Sequence, residues 1–157
     1  MNTHYLLPNK YKIIGWFLFI PGLILGLLSF FENVDDDTIT IPVLSIFYEE
    51  FMGSSPRELF AIITTGILSE IIAVMIIIGG LLIALSKEKI EDEFTSKLRS
   101  DSFVWAMIVN YIILLLATLF IYDMTFFTVL IFNMFTPIIF FIIRYNFLKL
   151  KSNSDEE

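Results

Sequence analysis

Glu70 is the one ionisable residue inside the four long apolar stretches of this 157-residue sequence. A carboxylate placed within a membrane costs several kcal/mol if charged and alone, so it is protonated or hydrogen-bonded, and it can either lock helices together or handle protons and ions. Counted from Leu59, Glu70 lies about 11 residues, or roughly 16 Å, along a helix, which places it near the bilayer midplane. The polar residues able to answer it are Asn110 in the third stretch and Asn133 with Thr136 in the fourth. Pro137 strengthens that last group, because it leaves the carbonyl of Asn133 without its helical donor. Glu70, Asn110, Asn133 and Thr136 therefore read as an intramembrane polar cluster. The spans contain no second acid and no base to continue a relay, so interhelical hydrogen bonding is the expected role and ion handling the alternative.

Little other chemistry is available. The chain has no Cys, which excludes disulfides, thiolate metal sites and a thiol nucleophile, and His4 is its single histidine. The run Asp35-Asp36-Asp37 lacks the alternating ligands and glycine of an EF-hand loop and reads as a solvated acidic loop. No nucleophile-base pair, metal-ligand cluster or glycine-rich phosphate loop appears. The expectation is a non-enzymatic protein with no catalytic residues, no metal and no cofactor.

The elements that must position these residues follow from composition. Hydrophobic residues make up 57% of the chain and charged residues 17%, with a mean hydropathy of +0.80. Soluble domains are about 45 to 50% apolar and about 25% charged, so this is a membrane protein. Four stretches approach or exceed the roughly 20 residues that cross a hydrocarbon core: residues 13–31, 59–85, 103–122 and 126–143. The last two are separated so briefly that the chain must turn straight back. Nine of the ten basic residues fall before the first span (Lys10, Lys12), between the second and third (Lys87, Lys89, Lys97, Arg99) or after the fourth (Arg144, Lys149, Lys151), leaving Arg57 on the other side. The positive-inside rule then puts both termini and the 86–102 loop in the cytoplasm and the 32–58 loop outside. A cleaved signal peptide competes for the first span. Its apolar run is long for that role, and no small-x-small site precedes the acidic loop. The fold class expected is all-α, a single four-helix membrane bundle.

In the outer loop, Thr38-Ile39-Thr40-Ile41 alternates in the manner of a strand, but too briefly for a sheet. After Pro42, the residues Val43, Leu44, Phe47 and Phe51 recur at helical spacing and predict a short amphipathic helix. Ser55-Pro56-Arg57-Glu58 has the spacing of a capping box that starts the second span. Small residues supply helix-packing surfaces: Gly22 and Gly26 as a GxxxG pair, and Gly66, Ala73 and Gly80 on the stripe that carries Glu70. These surfaces serve the bundle itself or a homo-oligomer. In the inner loop, Ile90, Phe94 and Leu98 fall at i, i+4 and i+8, a stripe that either docks a cytoplasmic partner or is buried against the protein's own bundle or the lipid surface, with Glu93 and Lys97 as a helical ion pair. The mixed charge of this loop argues against a strong anionic-lipid site.

The stretch from Ser86 to Phe94, then Leu98-Arg99, Ser102, Trp105-Ala106, Asn110-Tyr111, Asn133, Phe135-Thr136-Pro137 and Arg144, resembles small four-span bacterial membrane proteins of no assigned activity. Genes of such proteins often stand beside genes for small helix-turn-helix regulators, so the resemblance implies a regulatory setting and carries over no catalytic residue. Together these readings predict a sensing, regulatory or scaffold protein of the bacterial inner membrane. It would act through helix packing and a cytoplasmic regulatory protein, with no direct binding to nucleic acid. The alternative is a subunit of an oligomeric ion channel or proton-linked transporter that uses Glu70.

Overall fold

A computed structural model describes residues 6–32, 39–48, 58–89 and 92–155. The order is α1 (Lys10–Glu32), β1 (Thr40–Tyr48), β2 (Glu58–Gly66), α2 (Leu68–Leu85), α3 (Glu93–Phe120) and α4 (Asp123–Asp155). All four helices are long and apolar enough to cross a membrane. The chain forms two compact units, residues 1–21 with 75–157 and residues 22–74.

The smaller unit corrects two expectations. The segment after Pro42 is not an amphipathic helix, and the second span does not begin at Leu59. Both segments are strands, paired antiparallel from Thr40 opposite Gly66 to Tyr48 opposite Glu58, so the fold is mostly helical but not all-α. The apolar residues that fit a helical period also fit a pleat. β2 contains Ile62-Ile63-Thr64-Thr65, whose branched Cβ atoms disfavour a helix and suit a strand. Pro42, which lacks an N–H, is tolerated because β1 is an edge strand of the two-stranded sheet that the described residues form. The backbone N–H of Ile67 donates to the carbonyl of Ile39 at 3.1 Å, closing the base of the hairpin directly before α2. Gly66 ends β2, while Gly22 is buried and Gly26 half-buried on α1. The Asp35–Asp37 run, Phe51 and Ser55–Arg57 lie outside the described residues.

In the larger unit, α3 and α4 form an antiparallel hairpin whose linker is Ile121-Tyr122. The N–H of Ile121 donates to Ala117 to close α3. Asp123 enters α4 with φ 58°, the left-handed conformation that a two-residue reversal requires. Aromatic pairs follow the antiparallel register: Phe103 meets Phe141 edge-on with ring centroids 6.4 Å apart, and Trp105 meets Phe140 at 6.3 Å. α1 and α2 touch through backbone. A Cβ on Gly15 would lie 2.9 Å from the carbonyl oxygen of Gly79, and one on Gly79 would lie 2.7 Å from the nitrogen of Phe19. Only glycine permits that approach. Gly80, on the predicted small stripe, sits against Ile138 of α4 and Phe19 of α1.

Candidate functional site

The residues expected to form an intramembrane cluster are only partly brought together. The amide of Asn133 donates to the Oδ1 of Asn110 at 2.9 Å, joining α4 to α3, and Asn110 is buried. Thr136 turns its hydroxyl back onto the carbonyl of Phe132, 3.1 Å away in the same helix. Glu70 does not occupy the middle of a long helix. It is exposed in the first turn of α2, because the eleven residues counted from Leu59 are mostly β2. Ala73 is half-buried one turn further on.

The most elaborate polar site is elsewhere, around Glu88 in the link between α2 and α3. Glu88 is buried although it is charged. Lys12 of α1 donates to its Oε1, Tyr145 of α4 donates to the same oxygen at 3.0 Å, and Lys149 donates to Oε2 at 2.7 Å. Lys149 and Tyr145 stand four residues apart, so one face of α4 presents both. Phe141, a further turn back, stacks on the Tyr145 ring at 5.7 Å. The guanidinium of Arg99 lies 5.7 Å from the centroid of that ring and donates to the carbonyl of Ser86 at 3.3 Å. The chain's N-terminal segment is tied to the same place: Leu7 donates to Leu85, Lys87 donates to Leu7, both at 2.8 Å, and the side chain of Asn9 donates to the carbonyl of Lys87 at 2.7 Å. Glu88 thus joins the start of α1, the α2–α3 link and the end of α4.

Burial opposes ionisation of Glu88, but the hydrogen bonds and positive charges of Lys12 and Lys149 outweigh it and hold the carboxyl at a pKa of about 2. A group ionised throughout the physiological range suits a fixed electrostatic anchor. It does not suit a general acid or base, which works best near the ambient pH. Nearby, Asp92 caps α3 by accepting from the N–H of Thr95 at 2.7 Å; the hydrogen bond from the Thr95 side chain, and then this backbone bond, lower its pKa. Arg144 lies 4.6 Å over the indole of Trp105.

Of the docking stripe, Phe94 is exposed and Leu98 half-buried in the first turns of α3, and Ile90 lies outside the described residues. Phe94 and Leu98 line a groove of about 580 Å³ together with Lys12, Ile13 and Trp16 of α1 and Lys149 of α4. Among the described residues no group of three His, Asp or Glu side chains is placed to hold a metal. The chain matches no family model, no curated protein and no solved structure.

The Glu88 site was hidden in the sequence. Ser86 to Ser102 reads as a loop of mixed charge, and the pairing of the buried Glu88 with bases 76 residues before and 61 after leaves no local pattern. The available signal was chemical: Lys12, Lys149 and Arg99 all belong to the excess of basic residues assigned to one side of the membrane.

Proposed function

We propose that this chain is a non-enzymatic, four-span protein of the bacterial inner membrane, a helical bundle with both termini in the cytoplasm. In this reading it serves as a sensing or regulatory scaffold that holds a cytoplasmic protein at its Glu88 end. The observation that carries the reading is the convergence of Lys12, Arg99 and Lys149 around Glu88. Three chain segments expected on the cytoplasmic side meet at one end of the helices, which supports that orientation. A buried, fully ionised anchor fixes the geometry of this end rather than turning over a substrate. Phe94 beside it offers an exposed aromatic side chain of the kind that anchors protein interfaces. The resemblance to four-span proteins encoded beside helix-turn-helix regulators supports a regulatory partner.

The channel or transporter reading has less support, since it required a carboxylate in mid-span and Glu70 lies in the first turn of α2. A homo-oligomer remains compatible with the apolar face of α3 formed by Phe103, Met107, Tyr111 and Leu115. The decisive experiment purifies the chain from native membranes and measures the mass of the intact complex, with wild type compared against Phe94→Ser/Leu98→Ser. A defined cytoplasmic protein lost from the double variant supports the reading. Identical complexes from both, or ion flux in proteoliposomes of the purified chain, would overturn it.

A further inference from the structure

The groove beside Glu88 has a polarity that changes along its length. On α1 its lining runs from Asn9 and Lys12 to Ile13 and then Trp16; on α3 it runs from Asp92 through Thr95 to Leu98. Both helices start at this end and run on as apolar spans. The groove is therefore polar where a headgroup lies and apolar where an acyl chain begins, in the same direction as one leaflet of a bilayer. Trp16, half-buried within the second turn of α1, stands where indoles anchor to the membrane interface.

Its charges are arranged unequally. Glu88 is buried and paired with Lys12 and Lys149, whereas Asp92 caps α3 from an exposed position. The lysines are less consumed: Lys89 is exposed and the side chain of Lys149 keeps 40% of its accessibility. Among the described residues Lys12, Lys89 and Lys149 outnumber the two acids lining the groove, and the hydroxyl of Ser152 adds a donor. The mixed charge of the linear sequence argues against an anionic-lipid site; folding shifts that balance by burying Glu88 against Lys12 and Lys149 while Lys89 stays exposed.

We propose that this groove binds a phosphate-bearing anionic amphiphile, with its phosphate beside Lys89 and Lys149 and its acyl chain along Ile13, Trp16 and Leu98. Phe94, level with Thr95 at the polar mouth, stays available to a protein partner, so lipid occupancy is a signal this end could report to it. The inference rests on the proposed function only for the membrane placement of the groove and not on the existence of the partner.

The test uses the full chain in phosphatidylcholine nanodiscs, with Trp105→Phe so that Trp16 is the sole indole. Brominated phosphatidylglycerol or brominated phosphatidylcholine is titrated in, and quenching of Trp16 is read. We expect half-maximal quenching at roughly fivefold less phosphatidylglycerol than phosphatidylcholine, the order expected of one lysine near an anionic lipid. Lys89→Ala, which leaves the contacts of Glu88 in place, should abolish that preference without changing the helical circular dichroism. Equal quenching by the two lipids overturns the proposal. So does erasure of the preference by millimolar inorganic phosphate, which would assign the site to free phosphate. Because no partner is present in this assay, its failure leaves the partner reading standing, and loss of the partner reading leaves it unaffected.

Discussion

Lys149 donates a 2.7 Å hydrogen bond to Glu88 from 61 residues further along the chain, and the same carboxylate is held from the other direction by Lys12, 76 residues earlier. The arrangement joins three segments through one buried acid. Removing one partner of a buried ionic group strands the others, at about 3 kcal/mol or more. Glu88→Gln should therefore destabilise the detergent-solubilised protein by about that amount. Lys149→Met, at a side chain that keeps 40% of its accessibility, leaves the carboxylate held by Lys12 and Tyr145 and should cost less than Glu88→Gln. Thermal or denaturant unfolding of both variants checks the order, and equal losses would contradict it.

The same anchor predicts an acid limit. The folded pKa of Glu88, about 2, lies below its ordinary value of 4.5, so the stabilisation is fully present above about pH 5.5 and is lost progressively as the pH falls through 4.5 towards 2. Its full size is on the order of 3 kcal/mol. Unfolding measured from pH 7 to pH 3 should show falling stability in the wild type and a flatter profile in Glu88→Gln.

Between α3 and α4, the bond from Asn133 to Asn110 should be worth about 0.6 to 1.7 kcal/mol, as interhelical side-chain bonds in membranes are. A double-mutant cycle with Asn110→Ala and Asn133→Ala isolates it. Coupling near zero would mean that the two amides find other partners in the bilayer.

At the crossing of α1 and α2, Gly15→Ala and Gly79→Ala each push a methyl into opposing backbone and should cost about 1 to 3 kcal/mol. Both act on one crossing, so the pair should cost less than the sum, because the first change already parts the helices. Additive losses in thermal scans would place the two glycines at independent contacts.

Glu70 offers a contrast. Exposed in the first turn of α2, it gains from the partial positive charge of the helix start, a term of about 0.3 to 1 kcal/mol. Glu70→Gln and Glu70→Leu should both stay within about 1 kcal/mol of wild type. A loss of several kcal/mol in the Leu variant alone would restore the buried hydrogen-bonding role.

That the chain has four helices long and apolar enough to cross a membrane was determined by composition, since an apolar run of this length has few alternatives in water or lipid. The tight α3–α4 reversal was equally local: so few residues separate the two apolar runs that the chain has to turn back. The joining of Asn110 and Asn133 followed from it, because two antiparallel helices bring residues equidistant from their turn together. Read from the sequence alone, the segment after Pro42 and the residues from Leu59 are helical, yet both are strands, over 40–48 and 58–66. Val43 and Phe47 share a face in either period, and pairing with a partner strand, which is non-local, decides between them. That choice moved Glu70 from mid-span to a helix start. Which glycines meet was likewise decided by tertiary packing: Gly22 and Gly26 have the better motif, yet Gly15 and Gly79 make the backbone contact, because the crossing point depends on how whole helices seat. The Glu88 site was decided by tertiary structure alone. Electrostatic attraction acts through space, and no spacing along the chain records that Lys12, Tyr145 and Lys149 close on one carboxylate.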